Sequence, residues 1–509
     1  MQAQSQKATF YWHDYETFGL MKHVDRPAQF AGQRTDLNFE PVDAPDQWFC
    51  RPSPDYLPSP EACLVTGITP QTAAQKGLPE AEFARRIHER FNVPETLVIG
   101  YNNLRFDDEV SRALFWRNFL DMYSHQFRNG CSRWDLYPFT LAVWALRDEG
   151  TVWPTVTDED GTERVTFRLE KLTQANGIVH THAHDAVSDV EATYLFAKHL
   201  AKVQPRLWKW ALANRGKDAV SRALTNGAPC VYVDPYAGQK AGFLRFVMPI
   251  CTSPQNRNEV LCWDCRYDPS VLDGLPPQEI RRLAMAGKEE RREGESRLPL
   301  VRVKVNQCPF VCADLRIINA RVAERFAIDV EAVLANGVTL AQITPRIQGP
   351  CLQALEMNDA DRPEPVDPDE ALYSGFMCPA DEKTAAEVRR LLPEELATRH
   401  REGRIVFENP VFEELLFRMR ARSWPETLDA DEAERFKNLA RRLLSGEVPG
   451  RRVPQAYFDA IDTLVAKNDA LLEEERISQE RAQERSDVLE ALYNWGEFVM
   501  ERIEENPVF

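Results

Sequence analysis

The chain has 509 residues, 43% of them hydrophobic and 28% charged, with a formal net charge of −17. That length exceeds what one core fills and sets an expectation of roughly three domains, and no apolar run approaches the roughly 20 residues of a membrane span. The acid excess argues against a protein that coats nucleic acid by bulk electrostatics, but leaves room for an enzyme with a local basic track and an acidic metal site. Met1 to Ala8 lacks the apolar core of a signal peptide, so the expected location is the cytoplasm. Eleven scattered cysteines fit free thiols in a reducing compartment, and Cys262-x-x-Cys265, with no second pair at zinc spacing, reads as two cysteines near a strand end.

Thr9-Phe10-Tyr11-Trp12 is aromatic and β-branched and reads as a buried strand running into His13-Asp14-Tyr15-Glu16-Thr17-Phe18-Gly19. Side chains alternate along a strand, so Asp14 and Glu16 share a face. Two adjacent carboxylates repel unless a cation sits between them, which makes the pair a candidate cradle for magnesium or manganese; taken alone, such a pair is more often a solvated turn. The segments around Arg26–Phe30 and Tyr56–Pro60 read as loops and short strands. Leu64-Val65-Thr66 reads as a strand end before a turn at Gly67, and Thr69-Pro70 as a helix start. Ala81 to Phe91 has helical spacing, and Thr96 to Asn102 is a short apolar run of the kind buried on both faces of a sheet. Alternating strands and helices indicate an α/β layer with a central sheet, whose strand ends gather active sites.

After that run, Asp107 either caps the helix that follows or, with Asp108 as the cap, faces the sheet end. Ser132 to Asp135 leads into a helix over Leu136 to Leu146. In His180-Thr181-His182-Ala183-His184-Asp185-Ala186-Val187-Ser188-Asp189, Val187, Val190, Tyr194, Ala197 and Ala201 recur at helical spacing. Asp189 lies near the buried face, an expensive place for a carboxylate without a partner, and a metal shared with Asp14 and Glu16 would supply one. His184 sits just upstream, where it can reach a substrate; His180 and His182 read as surface loop.

From about Gln204 short strands take over: Cys230–Val233, Phe243–Met248, Val260–Cys262 and Leu300–Val305, the last alternating apolar and basic residues. Asn358 to Pro368 is acidic and proline-rich, the composition of a linker. Beyond it, Lys383–Leu392, Phe412–Arg422, Ala433–Leu444, Ala456–Ala466 and a stretch ending near Ile503 read as helices, with Glu473–Arg485 as a solvated helical face.

The ordered clusters Asp-x-Glu, Asn-x-x-Phe-Asp and His-x-x-x-x-Asp resemble those of the DEDDh exonuclease superfamily. Together with Asp25-Arg26-Pro27-Ala28-Gln29-Phe30, Gly100 to Glu109, Ser132-Arg133-Trp134-Asp135, Phe167 to Ile178, Cys308-Pro309 and Arg420 to Asp429, they resemble the bacterial exodeoxyribonuclease I family over nearly the whole chain. The resemblance implies a ribonuclease H-like exonuclease domain with a mixed central sheet over residues 1–203, an SH3-like β-barrel domain with flanking helices over 204–355, a linker over 356–370 and a helical domain over 371–509. It implies that a monomer degrades single-stranded DNA from its 3′ end, processively and in DNA repair and recombination, releasing 5′-mononucleotides with two magnesium ions (or manganese). By the same resemblance Asp14, Glu16 and Asp189 ligate the ions, Asp107 does so directly or through water, and His184 is the general base. Glu16 and Arg168 contact substrate, with Arg112 and Arg133 as further candidates. The implied partners are single-stranded DNA and the acidic, Phe-ending tail of single-stranded DNA-binding protein. The chain's own Glu504-Glu505-Asn506-Pro507-Val508-Phe509 is similar to that tail and is either a competitor for the same pocket or a frayed end. The competing expectations are an exonuclease of the same superfamily that acts on RNA or proofreads, and a DNA-binding protein on an inactive nuclease scaffold.

Overall fold

Aromatic and β-branched residues open the chain, and in the computed structural model they form a central strand, β1 (Thr9–Thr17). The residues described are 7–158, 160–178, 186–285, 287, 290, 292, 294–360 and 367–505. β2 (Pro27–Thr35) and β1 are antiparallel, as are β3 (Asp46–Phe49) and β2, while β4 (Thr96–Gly100) runs parallel to β1. With β5 (Ser132–Asp135) they make a mixed sheet in the order β3-β2-β1-β4-β5. Gly100 ends β4 where any side chain would collide: a Cβ there would lie 2.7 Å from the Asn103 Cβ and 3.0 Å from the His13 carbonyl oxygen.

Four helices follow in the first half of this region: α1 (Pro60–Thr66), α2 (Pro70–Lys76), α3 (Glu80–Phe91) and α4 (Asp107–Arg117). Phe83, Ile87 and Phe91 of α3 and Val110, Leu114 and Phe115 of α4 share a core with Tyr11, Tyr15, Phe30 and Val98 of the sheet. Two expectations change here. Leu64–Thr66 is the last turn of α1, started by Ser59 and Pro60 and stopped by Gly67 at φ +70°. Pro27–Phe30 opens a nine-residue strand, buried along its length, with Arg26 just before it. Its polar side chains are matched inside: Arg34 donates to Thr9 and Thr96 hydroxyls at 2.8 Å and to the Arg90 carbonyl, and Gln33 to the Asp43 carbonyl at 2.9 Å. Ser132–Asp135 is a strand, after which Asp135 caps α5 (Leu136–Leu146) by accepting from the Tyr137 N–H at 2.9 Å.

The chain divides into two units, Met1–Arg133 with His180–Thr193 and Glu364–Phe509, and Trp134–Val179 with Tyr194–Pro363. The second contains α5, the hairpin of β6 (Thr155–Thr157) and β7 (Glu163–Val165), and α6 (Leu169–Ala175). It also holds an antiparallel sheet of β8 (Cys230–Val233), β9 (Leu244–Thr252), β10 (Glu259–Asp264), β11 (Leu300–Lys304) and β12 (Val311–Cys312), in the order β11-β10-β9-β8-β12. β11 buries Val301 and Val303 and turns Arg302 to Glu259 at 3.1 Å. Cys262 and Cys265 are buried free thiols, and burial pushes that of Cys262 well above the usual range, so both are core residues. The helix Val330–Ala360 continues into the expected linker, and a short 3₁₀ turn begins at Pro368.

In the first unit the C-terminal helices are Pro379–Val388, Pro393–Arg401, Pro410–Ser423, Ala430–Leu444, Pro454–Glu473 and Gln479–Glu505. Pro393–Arg401 has no counterpart in the sequence reading, and Glu473–Arg485 contains a helix break where Glu475 takes φ +53°. Asn506–Phe509, the tail-like end, lies outside the described residues. Tyr457, Leu492, Trp495 and Val499 share a core with Phe18, Tyr56 and Cys63. Beside it is a buried network of ion pairs. Arg422 reaches both Asp55 and Asp369 at 2.8 Å, Arg26 reaches Asp369 at 3.0 Å, and Arg418 reaches Asp367 at 2.8 Å. Among the described residues no helix is long and apolar enough to cross a membrane.

Candidate metal centre and active site

The two-residue repeat of β1 sends Tyr11, His13 and Tyr15 into the core and leaves Asp14 and Glu16 on a half-buried face. Tyr15 then fastens α4 to the strand twice: its N–H donates to the Asp107 carboxylate at 3.2 Å, and its hydroxyl lies 3.0 Å from that of Ser111. Just past Glu16 the register against β2 shifts, so that Glu16 faces Gln29 and Thr17 faces Pro27. Such a bulge re-aims the side chain beside it. Asp189 arrives from the first turn of α7 (Ala186–Val203). Carboxylate oxygens of Asp14, Glu16 and Asp189 lie within 4.8 Å of one another.

Burial, and after it the charges of Asp107, Glu16 and Asp189, push the Asp14 carboxyl well above the ordinary range. The donor set is oxygen only, brought by a strand and a helix to one point, which fits a hard divalent cation such as magnesium or manganese.

Neither Asp107 nor Asp108 caps α4; the cap position is Phe106, at φ −127°, ψ −70°, with no side-chain bond. Asp107 is buried at the start of the helix and faces Asp14. Asp108 pairs with Arg133 and accepts from Asn103 at 3.3 Å. Arg112 pairs with Glu109 and lies 3.8 Å from Asp108. Both candidate strand-binding arginines beside the site are therefore buried with carboxylate partners. Arg168 is exposed at the start of α6 in the second unit, and the neighbouring Glu170 pairs with Lys171 at 3.5 Å. His184, with His180 and His182, lies outside the described residues.

The site has further members that the sequence reading passed over. Glu109 accepts from the Tyr373 hydroxyl, and its Oε2 lies 3.2 Å from His23 Nε2. Burial would raise the Glu109 carboxyl, yet His23, Arg112 and Tyr373 together hold it at about 2. Asp25 and Arg452, treated below, fix the turn after β1. Asp25 and Glu109 did stand in the motif stretches; nothing local marks Tyr373 or Arg452.

Three family models match the chain: Exonuclease over residues 11–196, Exonuclease I SH3-like domain over 215–354 and Exonuclease I C-terminal domain over 366–499. The chain is 38% identical to the exodeoxyribonuclease I of Escherichia coli K12 over 466 residues, covering 90% of this chain and 94% of that protein. It is also 38% identical to that of Haemophilus influenzae, over 86% of this chain and 90% of the relative. Among solved structures, an exonuclease I from Methylocaldum szegediense superposes with a TM-score of 0.86 at 38% identity, over 97% of this chain and all of that one. E. coli exonuclease I in complex with a dA16 oligonucleotide superposes at 0.85 and 36%, with the same coverage. E. coli exonuclease I has further been solved with DNA in a zinc-bound form, and an SSB/exonuclease I structure with an inhibitor superposes at 0.83. With its carboxylate cluster, its three matched segments and relatives of this identity and coverage, the chain belongs to the exodeoxyribonuclease I family and is an exodeoxyribonuclease.

Proposed function

We propose that the protein is a magnesium-dependent 3′→5′ exonuclease that digests single-stranded DNA processively to 5′-mononucleotides, working as a cytoplasmic monomer in DNA repair and recombination. The observation that carries this reading is the convergence of Asp14, Glu16 and Asp189 within 4.8 Å, with Asp107 facing Asp14. The oligonucleotide-bound relative supports the substrate class. A pair of divalent ions held there would supply the charge that offsets the anionic phosphodiester and acidifies a water.

The chain's own groups do the rest. Asp14, Glu16 and Asp189 are the holding ligands, and Asp107 ligates directly or through water. His184 takes the proton from the attacking water, a task that suits an imidazole. Glu16 also meets the terminal nucleotide, and Arg168 offers a guanidinium to a phosphate. Arg112 and Arg133 are the weaker candidates for contacting the strand, each being already paired with a carboxylate, Glu109 and Asp108. The β domain takes an SH3-like barrel form, and digestion is processive. Single-stranded DNA-binding protein, through its acidic tail, is the protein partner, in line with the SSB-containing relative.

A time course on a 5′-labelled single-stranded oligonucleotide with magnesium tests this, run beside a blunt duplex and beside His184→Ala. Shortening of the single strand alone, lost in the variant, is the expected result. Retarded but undigested DNA would establish a binding protein, and equal digestion of RNA or duplex would assign another use of the same site.

A further inference from the structure

The strand that carries two of the metal-binding carboxylates ends in a turn that is held from the far end of the chain. Asp25, buried within that turn, is its hub: it accepts from the Met21 N–H at 2.8 Å and from the Tyr56 hydroxyl at 2.6 Å. Both Arg452 terminal nitrogens also reach it, Nη2 at 3.1 Å, in the forked geometry in which a guanidinium meets a carboxylate. Arg452 lies just before the helix Pro454–Glu473, more than 400 positions from its partner, and its Nη1 also lies 3.3 Å from the Leu57 carbonyl. The turn is closed so tightly that a Cβ on Gly19 would lie 2.1 Å from an Asp25 oxygen and 2.7 Å from Arg452 Nη2. Its two sides are pinned where they leave the sheet: Phe18 N–H donates to the Arg26 carbonyl at 2.9 Å, and Ser59 N–H to the Phe18 carbonyl at 2.7 Å. Glu16 stands two residues before Phe18, at the bulge.

We propose that Arg452 is a positioning residue for the metal centre: through Asp25 it fixes the turn that sets Glu16 against Asp14 and Asp189. This rests on the metal-centre reading above. Without Arg452, Asp25 would be a buried carboxylate with its charge unmatched, and the turn would relax toward water. The carboxylates would remain but their mutual placement would loosen, so cation affinity falls while the DNA-binding surface is untouched. Groups that orient metal ligands without touching the ion typically change affinity or activity by about 10- to 100-fold.

The test is calorimetric titration of the DNA-free, full-length protein with Mn²⁺, for wild type, Arg452→Ala, Arg452→Lys and Asp14→Asn, together with kcat and KM on a single-stranded oligonucleotide. Arg452→Ala should bind Mn²⁺ about tenfold more weakly. It should lose kcat at fixed low Mn²⁺ with KM for DNA unchanged, and regain rate as Mn²⁺ is raised. Arg452→Lys, keeping the charge but not the fork, should fall between. Mn²⁺ affinity equal to wild type in Arg452→Ala, or a loss confined to KM, would overturn the proposal. If Arg452→Ala does not fold, Tyr56→Phe removes another donor to Asp25 and should weaken Mn²⁺ binding more mildly; unchanged affinity there overturns it equally. A wild type that takes up no Mn²⁺, or an Asp14→Asn variant that binds it as well as wild type, would instead sink the metal-centre reading on which the proposal stands.

Discussion

The first unit holds two clusters of buried or half-buried carboxylates, and they are built to opposite rules. Around Asp55, Asp367 and Asp369 each acid meets at least one guanidinium, from Arg26, Arg418 or Arg422, at 2.8–3.0 Å. Burial alone would raise the Asp369 carboxyl, but Arg422, Arg418 and Arg26 carry it well below the usual range. Among the described residues the charges that act most on Asp14 are further acids, and its carboxyl is driven the other way. The same physics, burial plus neighbouring charge, thus gives a closed network that holds the C-terminal helices on the opening domain, and an acidic one that suits a cation. The sign of the neighbours separates a structural cluster from a functional one.

The comparison can be broken most forcefully at the open cluster. Asp14→Asn should lower the hydrolysis rate by roughly 10²- to 10³-fold or more, the scale on which one preorganised charged group acts. Steady-state rates on single-stranded DNA would show it, and a rate near wild type would remove Asp14 from the chemistry. At the closed cluster, Arg422→Met leaves Asp55 and Asp369 short of a partner and should cost about 3–5 kcal/mol in denaturant unfolding. A midpoint like that of wild type would mean the network contributes little.

A pH effect sharpens the point, because burial that no opposite charge offsets favours the neutral form of a base as it does of an acid. His125 is fully buried, and burial lowers its pKa to about 3, with nearby Arg133 lowering and Asp108 raising it. The unfolded chain therefore binds the proton first. The stability this histidine confers is complete above about pH 6.5 and is lost as pH falls toward about 3, on the order of 5 kcal/mol at most. Stability curves between pH 7 and 4 for wild type and His125→Phe should diverge, the variant being flatter; parallel curves would contradict the assignment. The smallest effect belongs to the surface: Arg346 and Asp273 pair at 2.7 Å but are both exposed. Arg346→Ala should leave the denaturant midpoint where wild type has it, and a clear loss would mean the pair is worth more than its exposure allows.

How far the sequence foretold each cluster follows from the range of the interactions. Asp14 and Glu16 sharing a face is a consequence of a two-residue repeat, readable from nine residues. Asp107 was ambiguous because its alternative, a helix cap, is local, whereas what decides against it is the Tyr15 N–H, 92 positions away. The Arg26–Phe30 stretch reads as loop or short strand, and that β2 runs on through the polar Gln33 and Arg34 makes sense only once partners from Thr96, Arg90 and Asp43 are in place. α1 was missed because Leu64-Val65 outweighed the cap signal of Ser59-Pro60. The closed cluster was not foreseen at all: Arg422 and Asp55 are 367 positions apart, and a conspicuous arginine carries no mark of its acid. The family-like stretches supply what periodicity cannot, pointing Asp14, Asp107 and Asp189 to one site.

Thermal melting of wild type and Asp14→Asn, each with and without magnesium and without DNA, tests the central contrast most directly. If the open cluster is a cation site held under like-charge strain, magnesium raises the wild-type Tm, while Asp14→Asn melts higher than wild type without metal and hardly responds to it. A wild type indifferent to magnesium, or an Asp14→Asn variant that is less stable without metal and still responds to it, would contradict the account.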